Sequence, residues 1–201
     1  MNLDVFNDIT DDIHDGAIKE YYDNRTLILD NDITGDLLRD IILHILLWNK
    51  DDENIPVGKR HKIKIFIDSD GGSVFAANNL INVIECSETP IVGVAFSVAA
   101  SAASSILVAC DERYAFKHST ILLHDGSVMV QNSGNKARQT MDFLDKVDSV
   151  VKETILKHTK ITEEEYEANK KDEQFMFADE AKEKGIIDYI IGVDCTLDEI
   201  L

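Results

Sequence analysis

The chain has 201 residues, of which 44% are hydrophobic, and this predicts one globular domain with a substantial core. Its formal net charge of −18 disfavours binding to nucleic acid or anionic lipid, and no apolar run reaches the roughly 20 residues that span a membrane. The three cysteines are an odd number without metal-ligand spacing, so we expect two buried thiols, no metal or cofactor, and a reducing, cytoplasmic location.

The N-terminal part predicts an arm followed by a strand and a helix. Residues 1–20 are polar and lack a strong period, so we interpret them as an arm in front of a domain spanning residues 21–201. Thr26–Leu29 is typical of a short strand. Thr34 then occupies an N-cap position before a helix whose apolar residues repeat at helical spacing and which ends near Trp48.

A glycine pair separates the next predicted strand from the next predicted helix. Lys62–Ile67 alternates lysine with apolar residues, as a strand does, and Val74–Glu85 predicts a helix. Between them, Asp68–Ser73 contains Gly71 and Gly72. Glycines there permit backbone geometry that side chains forbid, and they leave N–H groups open to a ligand. Their spacing matches neither the P-loop nor the dinucleotide-binding motif.

The most apolar stretch predicts a strand, a turn and a helix. Ile91–Val94 predicts a buried strand, Phe96 and Ser97 a turn, and Val98–Val108 a helix of small residues. Ser101 would then lie near the start of that helix, beside unpaired N–H groups and the positive end of the helix dipole. Such donors can hold an oxyanion. The alternative is a packed helix whose serines bond only to neighbouring backbone groups.

The C-terminal half predicts two short strands and a long helix. The strands are Arg113–Phe116 and Thr120–Leu123, and the second ends at His124. Lys136–His158 carries one apolar stripe at helical spacing. Three further elements complete the predicted order: a capped helix after Thr162, a short helix over Asp179–Lys184 and a last strand over Ile186–Ile191. Alternating strands and helices indicate a single α/β domain.

A serine and a histidine at strand ends suggest nucleophilic catalysis. A serine hydroxyl becomes a good nucleophile when a base removes its proton, and neutral histidine suits that role near pH 7. We prefer His124 as partner of Ser101 because His118 precedes a strand rather than ending one. The remaining histidines lie on polar segments or helices without catalytic context: His14, His44, His61 and His158. A structural role for His124 is the alternative.

Three motifs carry a family resemblance. Asp68–Ser73, Ala99–Ser101 and Leu122–His124, in this order and spacing, resemble the proteolytic subunits of Clp protease, a family of serine peptidases, within a match over about Arg25–Ile191. The resemblance implies the α/β spiral of β-β-α units shared with crotonases, in which Lys136–His158 forms a protruding handle. It also implies heptameric rings, usually two stacked face to face, and an AAA+ ATPase unfoldase that feeds protein substrates into them.

The same resemblance implies roles for individual residues. Ser101 would be the nucleophile, His124 the general base, and the backbone N–H groups of Gly72 and Ala102 the oxyanion hole. The implied substrate-binding residues are Gly71, Ser73, Asp125 and Gly126.

The third member of a triad is implied less directly. The family has an acid, usually Asp preceded by Arg, shortly before an aromatic residue. Alignment on Phe175 and Glu180 places Glu173 there, with Asp172 where the Arg would stand. Glutamate orients histidine in some hydrolase triads, and Asp172 is the second candidate. Both carboxylates are also explained as solvated charges.

The chain departs from the family pattern at several positions. Asp70 replaces a proline before the glycine pair, and Ser97-Val98 replaces Gly-Gln before the alanines. Asp125-Gly126 follows the histidine instead of Gln-Pro. Asp172 replaces an arginine that helps to join two rings, and the N-terminal arm lacks the usual pore-loop sequence. The number of rings and the ATPase partner therefore do not follow from the resemblance.

We therefore expect a serine endopeptidase that cleaves unfolded or displayed protein segments inside a ring of identical subunits. The alternative is an inactive ring scaffold or regulatory subunit, because residues around the triad diverge. A third interpretation is an acyl-CoA enzyme, which shares the spiral and an oxyanion hole. That class usually needs a basic nucleotide site, and this acidic chain hardly offers one.

Overall fold

The computed structural model describes residues 16–126 and 133–201. Within them, the strands are β1 (Thr26–Leu29), β2 (Ile63–Ser69), β3 (Ile91–Ala100), β4 (Glu112–Phe116), β5 (Thr120–Leu123), β6 (Gln174–Phe177) and β7 (Tyr189–Ile191). The α-helices are α1 (16–23), α2 (Leu43–Asp51), α3 (Val74–Cys86), α4 (Ala102–Ala109), α5 (Gly134–His158), α6 (Glu163–Asn169) and α7 (Ala178–Glu183). A π-helical turn, Leu38–Ile42, leads into α2, and Val57–Lys59 is a short 3₁₀ turn.

All seven strands belong to one sheet that branches at β3. The main path runs β1-β2-β3-β4-β7, and its neighbours are parallel. The first half of β3 pairs with β2 and β4, whereas its second half pairs with β5 and, at Ala99, still with Ser69 of β2. β6 then joins β5 in the antiparallel direction. The predicted fold class, a single α/β domain, is confirmed.

The course of β3 corrects the prediction for the most apolar stretch. The turn predicted at Phe96-Ser97 and the helix predicted from Val98 are wrong, because β3 continues without interruption to Ala100. Ala99 and Ala100 pair with Ile121 and Leu122 of β5. These backbone pairings override the helix preference of alanine, which is a weak local tendency. The helix consequently begins at Ala102, directly after Ser101.

Helix α4 lies in the core against β3 and α3. All eight of its residues are buried, and Ile106 and Leu107 are fully excluded from solvent. Burial of each such side chain stabilises the fold by about 1.5–3 kcal/mol. A Cβ atom at Gly93 would lie 2.9 Å from Leu107 and 2.9 Å from the Cys110 sulfur, so the backbone of β3 and α4 approach closely there. This packing sets the position of Ser101.

Other predicted elements agree with the structure to different degrees. Thr26–Leu29 and Thr120–Leu123 are strands with the predicted bounds, and α3 and α5 differ by two residues or fewer at each end. The last strand is shorter than predicted, and β6 was not predicted. Residues 16–20 of the predicted arm belong to α1, and its first 15 residues lie outside the described part. No helix of the described residues has the length and apolar content to cross a membrane.

Helix α5 is attached to the domain near its C-terminal end. Its only buried residues are Thr154 and Ile155. Met141, Phe143 and Val150 are exposed, although Met141 belongs to the apolar stripe predicted from the sequence. The N-terminal part of α5 therefore leaves apolar side chains uncovered in the single chain.

Candidate active site

Ser101 lies in a strained turn between β3 and α4. Its backbone has φ +55° and ψ −123°, and only Arg25 shares a positive φ among the non-glycine residues of the described chain. A conformation of this kind costs about 1–3 kcal/mol and is concentrated at functional sites. A sharp strand-to-helix turn also presents the nucleophilic serine in α/β-hydrolases. The backbone geometry thus holds the Ser101 side chain in a defined position.

The Ser101 hydroxyl does not cap helix α4. It makes no hydrogen bond with the helix N–H groups. Instead, the Ser101 carbonyl accepts bonds from the Ser104 N–H at 3.1 Å and the Ser104 hydroxyl at 2.6 Å. The serine that bonds to the neighbouring backbone is therefore Ser104, and the Ser101 hydroxyl remains available for other partners.

The glycine loop packs directly against the Ser101 turn. Gly71 has φ +105°, and a Cβ atom there would lie 2.7 Å from the Ala100 oxygen and 2.8 Å from Ser101 Cβ. The same atom would lie 3.1 Å from the Ala102 nitrogen. Only glycine fits this position, because real Cβ contacts are not found below 3.0 Å. The close approach of the two backbones explains why a glycine stands here.

Two backbone N–H groups near Ser101 lack partners within the described chain. Ile33 bridges the loop: its N–H donates to the Gly71 carbonyl and its carbonyl accepts from the Ser73 N–H, both at 2.8 Å. This parallel bridge leaves the Gly72 N–H directed away from Ile33, without a hydrogen bond in the described chain. The Ala102 N–H is the first of α4 and has no intrahelical acceptor. Both donors are therefore free to bind an oxygen atom.

Side chains of the loop hold the glycine pair in place. The Asp68 carboxylate accepts a bond from the Val98 N–H at 3.0 Å, and Ser69 Oγ accepts one from the Gly71 N–H at 3.2 Å. Ser73, which the resemblance implies to bind substrate, uses its hydroxyl to accept a bond from the Ala76 N–H at the start of α3. The loop is thus anchored on both sides of Gly71 and Gly72.

His124 lies beside Ser101 because β3 and β5 are parallel neighbours. The Ser101 N–H donates to the Leu122 carbonyl at 3.0 Å, and His124 follows the last residue of β5. Both side chains line one small cavity of about 40 Å³, together with Ala102, Asp125 and Gly126. No hydrogen bond joins Ser101 to His124 within the described residues. Catalytic contacts are often long before substrate binds.

The other described histidines do not line the Ser101 cavity. His44 contacts the Tyr22 hydroxyl at 3.1 Å, and His158 contacts Glu85 at 3.0 Å. His14 lies outside the described residues. Among the described histidines, His124 alone lines the Ser101 cavity.

Asp172 and Glu173 lie in the turn that precedes β6. The antiparallel register pairs Gln174 with Leu123, so Glu173 continues the line opposite His124. The Asp125 N–H also donates to the Lys170 carbonyl at 2.9 Å, which holds this turn against the residue after the histidine. Both carboxylates are exposed, and neither forms a hydrogen bond with His124 in the described chain. The structure therefore places both residues near His124, and neither carboxylate contacts the imidazole through a hydrogen bond in the described residues.

The cavity also contains groups that sequence reasoning missed. Asp148 and Tyr166 line it together with Asp125. The pKa of Asp148 is raised, first by partial burial and then by the negative charges of Asp125 and Asp145. Burial, followed by the charges of Asp125 and Asp148, raises the pKa of Tyr166 to about 12. The sequence offered one indication of this position. Asp148 stands three residues before Val151 of the predicted apolar stripe, so the two residues lie on the same face of the helix.

The described residues contain no cluster of three histidine, cysteine, aspartate or glutamate side chains arranged to hold a metal ion. The chemistry that the cavity offers therefore comes from a hydroxyl, an imidazole, carboxylates and backbone N–H groups. That set is sufficient for acyl transfer by a serine nucleophile.

Comparisons of the sequence with known proteins identify the family. A sequence model of the Clp protease family matches residues 11–194. The ATP-dependent Clp protease proteolytic subunit 2 of Rhodococcus jostii (strain RHA1) is 23% identical over 186 residues, covering 92% of this chain and 90% of that protein. The ATP-dependent Clp protease proteolytic subunit of Pleurastrum terricola is 28% identical over 178 residues, covering 84% of each chain. The chain belongs to the Clp protease family.

Proposed function

We propose that this chain is a serine endopeptidase that hydrolyses unfolded or displayed protein segments. The observation that carries the proposal is the strained turn at Ser101, whose hydroxyl shares a cavity with His124 and is not used for capping. The free N–H groups of Gly72 and Ala102 and the names of the family relatives support the same assignment.

In the proposed mechanism, His124 removes the Ser101 proton and the hydroxyl oxygen attacks the peptide carbonyl carbon. The Gly72 and Ala102 N–H groups stabilise the negative charge that develops on the carbonyl oxygen. His124 then donates its proton to the leaving amine, which departs and leaves an acyl-enzyme. Water, deprotonated by His124, hydrolyses that ester and restores the serine.

The acid that orients His124 is proposed to be Glu173. The β5–β6 register supports it, because Glu173 continues the line of residues opposite the histidine. Asp172 is one residue further from that line and stays the second candidate. A small shift of this exposed turn on assembly or substrate binding would bring the carboxylate to the imidazole ring.

Ring assembly is a further part of the proposal. Exposed apolar residues on α5, among them Met141 and Phe143, support burial against another copy of the chain. We assign α5 as the handle of a heptameric ring, with the active sites inside the chamber. An AAA+ ATPase unfoldase would supply the substrates.

Replacement of the nucleophile tests the function. Ser101→Ala should lower hydrolysis of an unstructured peptide by about 10⁶-fold, as in other serine triads. Ser104→Ala is the matched control because it removes a hydroxyl from the same cavity, three residues further along, that donates only to the Ser101 carbonyl. Equal hydrolysis by wild type and Ser101→Ala would exclude Ser101 as the nucleophile.

One observation favours a second candidate, an inactive ring scaffold. Among the described residues, Ser101, His124 and the two acids share no hydrogen bond with one another. A scaffold would fold and assemble, and it would show no peptide hydrolysis above the Ser101→Ala background. Analytical ultracentrifugation alongside the peptide assay separates the two candidates.

A further inference from the structure

The Ser101 cavity borders a second, acidic cleft. Asp125, Asp148 and Tyr166 line both, and the second cleft has a volume of about 430 Å³. Asp145 adds a third carboxylate to it. A substrate side chain that occupies the cavity beside Ser101 would therefore meet the Asp125 and Asp148 carboxylates in its lining.

Three of the four carboxylates that line the cleft are unpaired in the described part of the chain, whereas the fourth, Glu167, is paired with lysine. Asp125, Asp145 and Asp148 form no ion pair within the described chain. The two lysines of the cleft are already engaged: Lys152 contacts Glu163 at 2.8 Å and Glu167 at 2.7 Å, and Lys170 contacts Glu167 at 2.6 Å. The cleft thus keeps uncompensated negative charge, which a cationic group would neutralise.

A buried acceptor in the same cavity also lacks a partner. The Oδ1 atom of Asn78 is excluded from solvent and accepts no hydrogen bond. Asn78 lines the Ser101 cavity. A buried carbonyl oxygen without a donor is rare in folded proteins, so this atom calls for a partner such as a water molecule, an ion or a ligand group. The group that satisfies it must carry N–H or O–H hydrogen atoms.

The walls nearest Ser101 are apolar. Val74, Ala77 and Leu123 lie on one part of the cavity, and Val151 and Ile155 on the α5 part. The cavity is small, at about 40 Å³, so a slender alkyl chain fits it more easily than an aromatic ring. Apolar walls that lead to carboxylates complement a side chain with an apolar stem and a charged end.

We infer that the site selects lysine or arginine next to the scissile bond, with the cationic end bound by Asp125 and Asp148 and one of its N–H groups donated to Asn78. This inference rests on the proposed peptidase function. The net charge of −18 favours the same class of substrate, because it attracts cationic segments over a longer range.

The test uses unstructured, internally quenched peptides that are identical except for one position, occupied by Lys, Leu or Glu. For the wild-type protein we expect the highest kcat/KM with Lys, and mass spectrometry should locate the cut next to it. Asp148→Asn should lower the Lys/Leu ratio of kcat/KM about fivefold, and Asp125→Asn with Asp148→Asn about twentyfold. Asp148→Lys should make Glu preferred over Lys.

Asp142→Asn is the control, since it removes the same charge from an exposed position of α5 that does not line the cavity. The Lys/Leu ratio of kcat/KM in this variant should match that of the wild type. Because both peptides are measured on the same variant, an effect of assembly on total activity cancels in the ratio. Cleavage with Leu at or above Lys, or an unchanged ratio in Asp148→Asn, overturns the specificity and leaves the peptidase assignment intact. Absence of cleavage of all three peptides overturns both.

Discussion

The two sides of the candidate site are held by different means. On the nucleophile side, Ser101 stands between a ten-residue strand and a helix with every residue buried, and Gly71 packs against it. On the acid side, Asp172 and Glu173 are exposed in a turn after α6, a helix without buried residues. Core packing therefore fixes the Ser101 hydroxyl, whereas the carboxylate proposed to orient His124 depends on a few surface contacts. If the proposed roles are correct, the nucleophile is preorganised and the acid is adjustable.

Among the changes that test the difference between the two sides, Gly71→Ala should have the largest effect. The new Cβ atom would overlap the Ala100 oxygen and Ser101 Cβ, and φ +105° is unfavourable for alanine. We expect a loss of about 3 kcal/mol in the free energy of unfolding. Displacement of Ser101 and the Ala102 N–H should lower kcat/KM about 10³-fold.

Gly126→Ala is the matched control, because no atom lies within 4 Å of its Cβ position. Denaturant titration should place it within about 0.5 kcal/mol of the wild type. If Gly71→Ala were equally harmless, the nucleophile side would not be held by close backbone packing.

The next effect concerns the acid. Glu173→Gln keeps the size of the side chain and removes its charge, so kcat of the peptide assay should fall about 10²-fold if Glu173 orients His124. Asp172→Asn should stay within about twofold of the wild type. The reverse result would assign the role to Asp172, and two unaffected variants would remove both residues from the mechanism.

The smallest effect is one of local stability. Native-state hydrogen exchange should show the amides of α6 exchanging at least about 10²-fold faster than those of α4, because α6 can open without disrupting the core.

The stability of α6 should also depend on pH. Hydrogen bonds from Lys152 and Lys170 lower the pKa of Glu167 to about 2. Its stabilising contribution is therefore complete above the ordinary glutamate pKa, about 4.3, and is lost as the pH falls toward 2.

The corresponding measurement follows the protection factors of both helices from pH 6 to pH 3. Protection of α6 should fall over this range while that of α4 follows global unfolding only. Equal protection of the two helices at every pH would contradict the proposed difference between the two sides.

The sequence predicted the order of elements better than their junctions. Thr120–Leu123 and α3 follow from local patterns of apolar residues, turn residues and capping. The continuation of β3 through Val98 could not be predicted, because it depends on pairing with β5, which is distant in sequence. β6 was missed because Gln174–Phe177 is short and follows a charged run.

In the candidate site, too, features that depend on contacts between residues distant in sequence could not be predicted. Ser101 and His124 were recognisable because each follows a strand, and parallel neighbours bring such ends together. The positive φ of Ser101 is a product of the tertiary packing of Gly71 and α4, which no local pattern encodes. Asp148 reaches the cavity through the packing of α5, so its role was visible only as a position on the same helical face as Val151.

The most direct test of the central claim is covalent labelling with a fluorophosphonate, located by peptide mass spectrometry. We predict a single adduct on the Ser101 hydroxyl oxygen, strongly reduced in His124→Ala and absent in Ser101→Ala. A folded wild-type protein that never acquires this adduct, or that carries it on Ser104 instead, would contradict the assignment of Ser101 as an activated nucleophile.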